Sequence, residues 1–300
     1  MAHNEGVMLK QMRLSLGTSL FLLLAAPCVA QSVRIQVVDV GQGDGIVIRT
    51  PHHQWVLIDA GPNRQLADSL GPQFGVDRLA LVFVSHRHID HFSGMARVLR
   101  SLPVDRFVGN LADCPNRSTD DAIRAALSDR NIPAQSLGAD TLVVDGVRFI
   151  VLPTDPNDDP CPHDENNNSL IIRMEYGSFS MLFTGDAEAE ERDWLVANHA
   201  GLLDVDVLKA SHHGGNNGTS PAWLAAVTPQ AVVISAGVNA GYHHPMPEAV
   251  AAYEAATAGG RLYCTNRHGT LSIFGHHDGH FTINRQRRTT KACVYDGTHY

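Results

Sequence analysis

The 300-residue sequence has no Cys-x-x-Cys pair, a single basic cluster, and no long apolar run beyond its first thirty residues. Each absence argues against a class of protein. Without paired cysteines at finger spacing, a cysteine-based zinc site is not expected. Without further apolar stretches of bilayer length, neither is a polytopic membrane protein. The basic residues Arg285, Arg287, Arg288 and Lys291 sit near the end, where a solvated tail is expected, and the formal net charge is −8. An acidic chain has no general attraction for nucleic acid, so such binding would need a local basic patch or bound cations.

The first thirty residues differ from the rest. Lys10 and Arg13 precede an apolar segment from Leu14 to Ala26, and Cys28-Val29-Ala30 offers a small-x-small cleavage site before Gln31. Residues 1–30 therefore read as a secretory signal peptide, with an uncleaved anchor as the alternative. A periplasmic or secreted protein without a stable membrane partner is expected. The remaining chain, 44% hydrophobic as a whole, suits one sizeable domain over residues 31–285 followed by a polar tail over 286–300. Cys114, Cys161, Cys264 and Cys293 remain after cleavage, an even number that permits two disulfides in three connectivities.

What is present is an alternation of strand and helix signals. Val33 to Val40, Ile46 to Arg49 and Trp55 to Ile58 read as a first meander, and Leu79 to Val84 as a buried strand. A helix is expected over Phe92 to Leu102, another over Ser118 to Arg130, and a hairpin around Asp145-Gly146. Strands at Leu170 to Tyr176 and Phe179 to Thr184 then lead into helix–strand repeats that run to Phe274. Two similar halves, each opening with a meander, make an α/β protein with helices on sheet faces. Asp44 and Asp59, flanked by glycine at strand ends, fit turn positions.

One stretch concentrates chemistry. Ser85-His86-Arg87-His88-Ile89-Asp90-His91-Phe92-Ser93-Gly94 packs three imidazoles and a carboxylate into six positions directly after a strand. Such a donor set suits zinc, manganese or iron. Leaving a strand, His86 and His88 can face one ion while Asp90 and His91 turn to a second. Further downstream, Gly185-Asp186 and Ser211-His212-His213-Gly214-Gly215 place more candidate ligands at strand ends.

His-x-His-x-Asp-His after a strand resembles the signature of the metallo-β-lactamase fold superfamily of metal-dependent hydrolases. Asp-Val-Gly-Gln-Gly-Asp, Ile-Asp-Ala-Gly-Pro and Asn-x-x-Tyr-x-His-Pro, in that order, look like the branch holding the extracellular hydrolase-like domain of ComEC/Rec2 competence proteins. The resemblance covers about Val33 to Phe274 and implies a four-layer αββα sandwich. It also implies two divalent metal ions (Zn²⁺ or Mn²⁺). His86 and His88 would hold one; Asp90, His91 and either His212 or His213 the other; Asp186 would bridge them. Asp90 and His244 carry the catalytic expectation, and Asn168 and His244 the substrate contacts. Where many members have a further histidine ahead of the bridging aspartate, this chain has Glu165-Asn166-Asn167-Asn168, with His163 as an off-register alternative. An open first site of this kind favours manganese or loosely held zinc.

The resemblance thus implies a phosphodiesterase or nuclease in which a metal-bridging hydroxide attacks phosphorus. The expected partner is a phosphodiester substrate, DNA or a small phosphoester. A lactone, thioester or β-lactam hydrolase on the same scaffold is the competing enzyme, and a non-catalytic binding protein the competing class.

Overall fold

Val, Ile, Leu and Phe dominate fifteen short strands, and their alternation decides which face each strand buries. The structure, a computed structural model, describes residue 1 and residues 31–297 apart from 111, 113–117, 137, 156, 158, 160, 162–164, 239–240 and 258. The expected signal peptide from residue 2 onward, Cys114, His163 and Asn239 lie outside the described residues.

Two sheets form the centre. In the first, β1 (Ser32–Val37), β2 (Gly45–Arg49) and β3 (Trp55–Ala60) make an antiparallel meander. The run continues in parallel through β4 (Leu81–Phe83), β5 (Phe107–Val108) and β6 (Ala134–Gln135). The second sheet repeats the plan. β7 (Asp140–Val144), β8 (Val147–Val151), β9 (Ile172–Tyr176) and β10 (Phe179–Phe183) are antiparallel. β11 (Val207–Lys209), β12 (Ala231–Ile234) and β13 (Leu262–Cys264) then follow in parallel. Finally β14 (Leu271–His276) and β15 (Phe281–Arg285) return to the first sheet beside β1.

Parallel neighbours require crossovers, and these supply the outer layers. On the first sheet they are α1 (Gln65–Ser69), α2 (Ile89–Phe92), α3 (Met95–Ser101) and α4 (Ser118–Asp129). On the second they are α5 (Ala189–His199), α6 (Pro221–Val227) and α7 (Pro247–Ala256), with the single turn α8 (Thr265–His268) after β13. Ile35, Ile48, Val56 and Phe83 meet Phe149, Met174, Phe179 and Met181 between the sheets. Leu57 and Val82 cover Met95, Val98 and Leu99 on one outer face, and Leu182 and Val232 cover Leu195, Trp223 and Tyr253 on the other. The result is the expected αββα sandwich. In open α/β sheets, ligands bind beyond the carboxyl ends of parallel strands, so those ends are where function is sought.

Two local readings differ from expectation. The helix expected over Phe92 to Leu102 is broken between α2 and α3 at Ser93-Gly94, because the chain there runs against the end of β3. A Cβ on Gly94 would lie 2.3 Å from the Ala60 carbonyl oxygen, so only glycine permits the approach. The tail expected from residue 286 is folded back as far as residue 297. Arg287 N donates to the His268 carbonyl at 2.8 Å, Tyr295 N to the Pro245 carbonyl at 3.0 Å, and Cys293 is joined to Cys264 by a disulfide.

Candidate metal centre

Strand β4 ends directly before Ser85, β10 before Gly185-Asp186, and β11 before the turn that carries His212 and His213. These ends lie together, and their polar side chains converge. His91 Nε2 lies 3.3 Å from Asp186 Oδ2, His213 Nε2 lies 3.1 Å from the same oxygen, and the two nitrogens are 3.2 Å apart. Asp90 Oδ2 is 3.2 Å from His213 Nε2. The His86 and His91 ring centroids are 4.1 Å apart and those of His86 and His88 4.8 Å, and buried His86 Nε2 has no hydrogen-bond partner. Asp44, His91, Asp186 and His213 form a fully buried group whose donor atoms all lie within 4.8 Å of one another. Nitrogen and oxygen donors facing one point need protons or a cation between them, and the orphaned imidazole nitrogen calls for a further positive partner. The residues fit divalent ions of the zinc, manganese or iron kind.

A deeper layer holds these donors in place. Asp59, buried at φ 57°, accepts from Ser85 N at 2.7 Å and Ser85 Oγ at 2.6 Å, and its Oδ2 lies 2.8 Å from His91 Nδ1. The Ser235 carbonyl performs the same service for His213 Nδ1 at 2.8 Å. Fixing the far nitrogen of each ring aims Nε2 at the cluster. Lys209, wholly buried at the end of β11, places Nζ 2.5 Å from Asp44 Oδ2 and 3.0 Å from the Gly185 carbonyl. Asp44 N donates to the Asp90 carbonyl at 3.1 Å, an approach that a Cβ on Gly43 would block at 2.1 Å.

Charge and burial compete throughout. Burial disfavours charge on Asp186, but His213 and His91 outweigh it and hold the carboxyl well below its usual range. Asp90 is likewise held low against burial, by the hydrogen bond from His213 and the charge of His91. Burial opposes the charge of His213, yet Asp186, Asp90 and Asp44 raise it to about 10. His91 is raised well above the usual range, chiefly by Asp186 and then Asp59 against burial. His244 goes the other way: burial first, then His212 and His213, lowers it to about 4.

The donor motif that was legible in the sequence comes together in space, and the adjacent histidines part ways. His213 stands among the donors. His212 turns away: its Nδ1 is 3.2 Å from Glu188 Oε1, its Nε2 is 4.0 Å from Asp186 Oδ2, and its ring meets His244 edge-on at 5.0 Å. His88, Asp90, Asp186, His212, His213 and His244 line one cavity of about 1120 Å³. Asn168 does not line it, because its amide is turned to the Asp159 carbonyl at 2.7 Å; Asn166, from the same turn, lines the wall instead. Asp44 and Asp59 are more than turn residues, since both lie within the cluster or directly behind it. Lys209 went unnoticed in the sequence, although it is one of only three lysines and stands inside an otherwise apolar strand. The second candidate cluster among the described residues, Cys264, His268 and Cys293, has both sulfurs in the disulfide.

Comparison with known proteins agrees with this geometry. ComE operon protein 3 of Bacillus subtilis (strain 168) is 28% identical over 273 residues, 85% of this chain and 34% of that protein. Competence protein ComA of Neisseria gonorrhoeae is 30% identical over 215 residues, 70% of this chain and 28% of that one. The chain thus spans about a third of these relatives' length. Among solved structures, CmlA, a diiron beta-hydroxylase from Streptomyces venezuelae, superposes with TM-score 0.54 at 13% identity, covering 87% of this chain and 55% of that one. The metallo-beta-lactamase fold protein YhfI from Bacillus subtilis gives TM-score 0.51 at 12% identity, with coverage of 77% and 96%. These two likenesses concern the fold alone. The Metallo-beta-lactamase superfamily profile matches residues 38–238, more than half of the sequence, and the chain belongs to that superfamily.

Proposed function

We propose that this protein is a binuclear metal-dependent phosphodiesterase that works outside the cytoplasm. The observation that carries the reading is the convergence of His91 Nε2, His213 Nε2 and Asp186 Oδ2 beside the unpartnered His86 Nε2. His86 and His88 would hold one ion, Asp90, His91 and His213 the other, and Asp186 both. Bound there, divalent ions supply Lewis acidity toward phosphoryl oxygens and lower the pKa of a bound water.

The chain's own groups do the rest. Asp59 and the Ser235 carbonyl hold the far nitrogens of His91 and His213, so both rings are oriented before any ion binds and would ligate through Nε2 once it is deprotonated. His244, uncharged above about pH 4, faces the cavity as a neutral imidazole, and its N–H can donate to charge that develops on a substrate oxygen. Lys209 neutralises Asp44 without entering the cavity.

The turn at Glu165 to Asn168 supports a phosphodiester over a lactone, thioester or β-lactam. It presents an amide where many superfamily members have an imidazole, leaving a harder, more open first position that suits Mn²⁺. A binding protein that had lost catalysis would not need the full donor set. Hydrolysis of bis(p-nitrophenyl) phosphate in Mn²⁺ or Zn²⁺, beside a lactone and a thioester, tests the reading. Turnover of the phosphodiester is expected; turnover confined to the lactone or thioester overturns it.

A further inference from the structure

The donors account for the cavity floor but not for its mouth. Among the described residues only five large hydrophobic side chains are exposed, and two of them, Ile89 (71%) and Tyr242 (62%), line this cavity. Ile89 stands between His88 and Asp90. Tyr242 lies two residues before His244, its ring 6.0 Å from that imidazole and inclined by 31°. A branched aliphatic from the first half of the chain and an aromatic from the second therefore flank the same reacting point.

Beyond the metal donors, the polar groups nearby are amides and one carboxylate, Glu188. Gln42, Asn216 and Asn217 offer amides to the cavity. Among the described residues the one cationic side chain lining it besides the imidazoles is Arg87, which is buried and engaged by Glu165 and Asp120 at 3.1 Å each. A groove that tracks a phosphate backbone needs Lys or Arg along it, whereas a base needs a π-face and amide partners for its edge. A quaternary ammonium would be held by several aromatic faces, and among the described residues Tyr242 is the single Phe, Tyr or Trp lining the cavity.

Resting on the phosphodiesterase reading, we infer that the cavity mouth is a nucleoside-binding subsite, with the base packed on Tyr242 and against Ile89 beside one scissile phosphodiester. The preferred substrate is then a nucleoside phosphodiester, whether a free nucleotide ester or a unit of a single strand.

Three esters with a common leaving group test this: thymidine 5′-(p-nitrophenyl phosphate), methyl p-nitrophenyl phosphate and p-nitrophenylphosphorylcholine. In each, water adds to phosphorus, the bond to the p-nitrophenolate oxygen breaks, and a phosphomonoester remains. Base stacking of about 1–3 kcal/mol predicts a kcat/KM for the thymidine ester roughly five- to 150-fold above the methyl ester. Tyr242→Ala should collapse that ratio, mainly through KM, and Tyr242→Phe should keep it. Tyr242 is exposed, so both variants should fold. Equal rates on the thymidine and methyl esters, preference for the choline ester, or a ratio untouched by Tyr242→Ala would overturn the subsite while leaving a phosphodiesterase. No turnover of any ester would remove the phosphodiesterase reading, and the subsite with it. A labelled single-stranded oligonucleotide separates the two sources: shortening identifies the strand, and an intact strand with turnover of the thymidine ester identifies the free nucleotide ester.

Discussion

The two layers of the site differ in how completely each satisfies itself. In the lower layer Asp59 accepts two bonds from Ser85 and meets His91 Nδ1, while Lys209 pairs with Asp44 and donates to Gly185. In the upper layer His86 Nε2 has no partner, and His91, His213 and Asp186 crowd their donor atoms within 3.3 Å of one another. Buried polar groups are normally paired. Apart from Asp44 Oδ1, the lower layer obeys that rule with the protein's own side chains and backbone, whereas the upper layer obeys it only when protons or cations lie between its donors. The lower layer is therefore a preformed frame, and the upper layer is the part left open for chemistry.

Breaking the frame should have the largest effect. Lys209→Met strands the buried Asp44 carboxylate, and loss of one partner from a buried ion pair costs about 3–5 kcal/mol. Chemical denaturation should show that loss of stability, and adding Asp44→Asn to Lys209→Met should restore most of it. If Lys209→Met alone is neutral, the pair is not part of the frame.

Asp59→Asn acts on the same frame more gently, since the side chain keeps its shape but loses acceptor strength toward His91. Outer-layer substitutions of this kind cost about 10–100-fold in metal affinity or activity. A Zn²⁺ or Mn²⁺ titration should show the loss with the fold intact, and unchanged affinity would detach Asp59 from the centre.

The smallest effect sharpens the contrast through pH. Without metal, the folded-state pKa of His213 is raised to about 10 from an ordinary 6.5. Its contribution to stability is then complete below about pH 6.5 and is lost as pH rises through about 10. Denaturation of chelator-treated protein across that window should show the decline, and His213→Gln should flatten it. Metal-loaded protein should lack the decline, because the ligating imidazole is unprotonated. The same slope with and without metal would place His213 outside the metal's reach.

The donors and the fold were legible in the sequence because they obey local rules. Ser85 to Gly94 had to be contiguous to leave one strand end together, and the strand–helix alternation followed the burial period. The choice between His212 and His213 was not legible. Both sit at positive φ, 46° and 51°, so neither strand nor helix periodicity says where their side chains point. Asp44 and Asp59 looked like turn residues because glycine lies one or two positions away in sequence, while their real neighbours, Lys209 and His91, come from other strand ends. Which of Asn166, Asn167 and Asn168 faces the cavity was not legible, because three successive asparagines in a tight turn give no register by which to choose.

The most direct test of the centre is the metal content of purified protein, measured by elemental analysis for wild type and Asp186→Ala, with phosphodiester turnover recorded on the same samples. The account predicts two divalent ions per chain in wild type. In Asp186→Ala it predicts loss of metal together with a fall in turnover of more than about 100-fold, beyond what an outer-layer change produces. A wild type that binds no divalent metal, or an Asp186→Ala variant that keeps both its metal and its turnover, would contradict it.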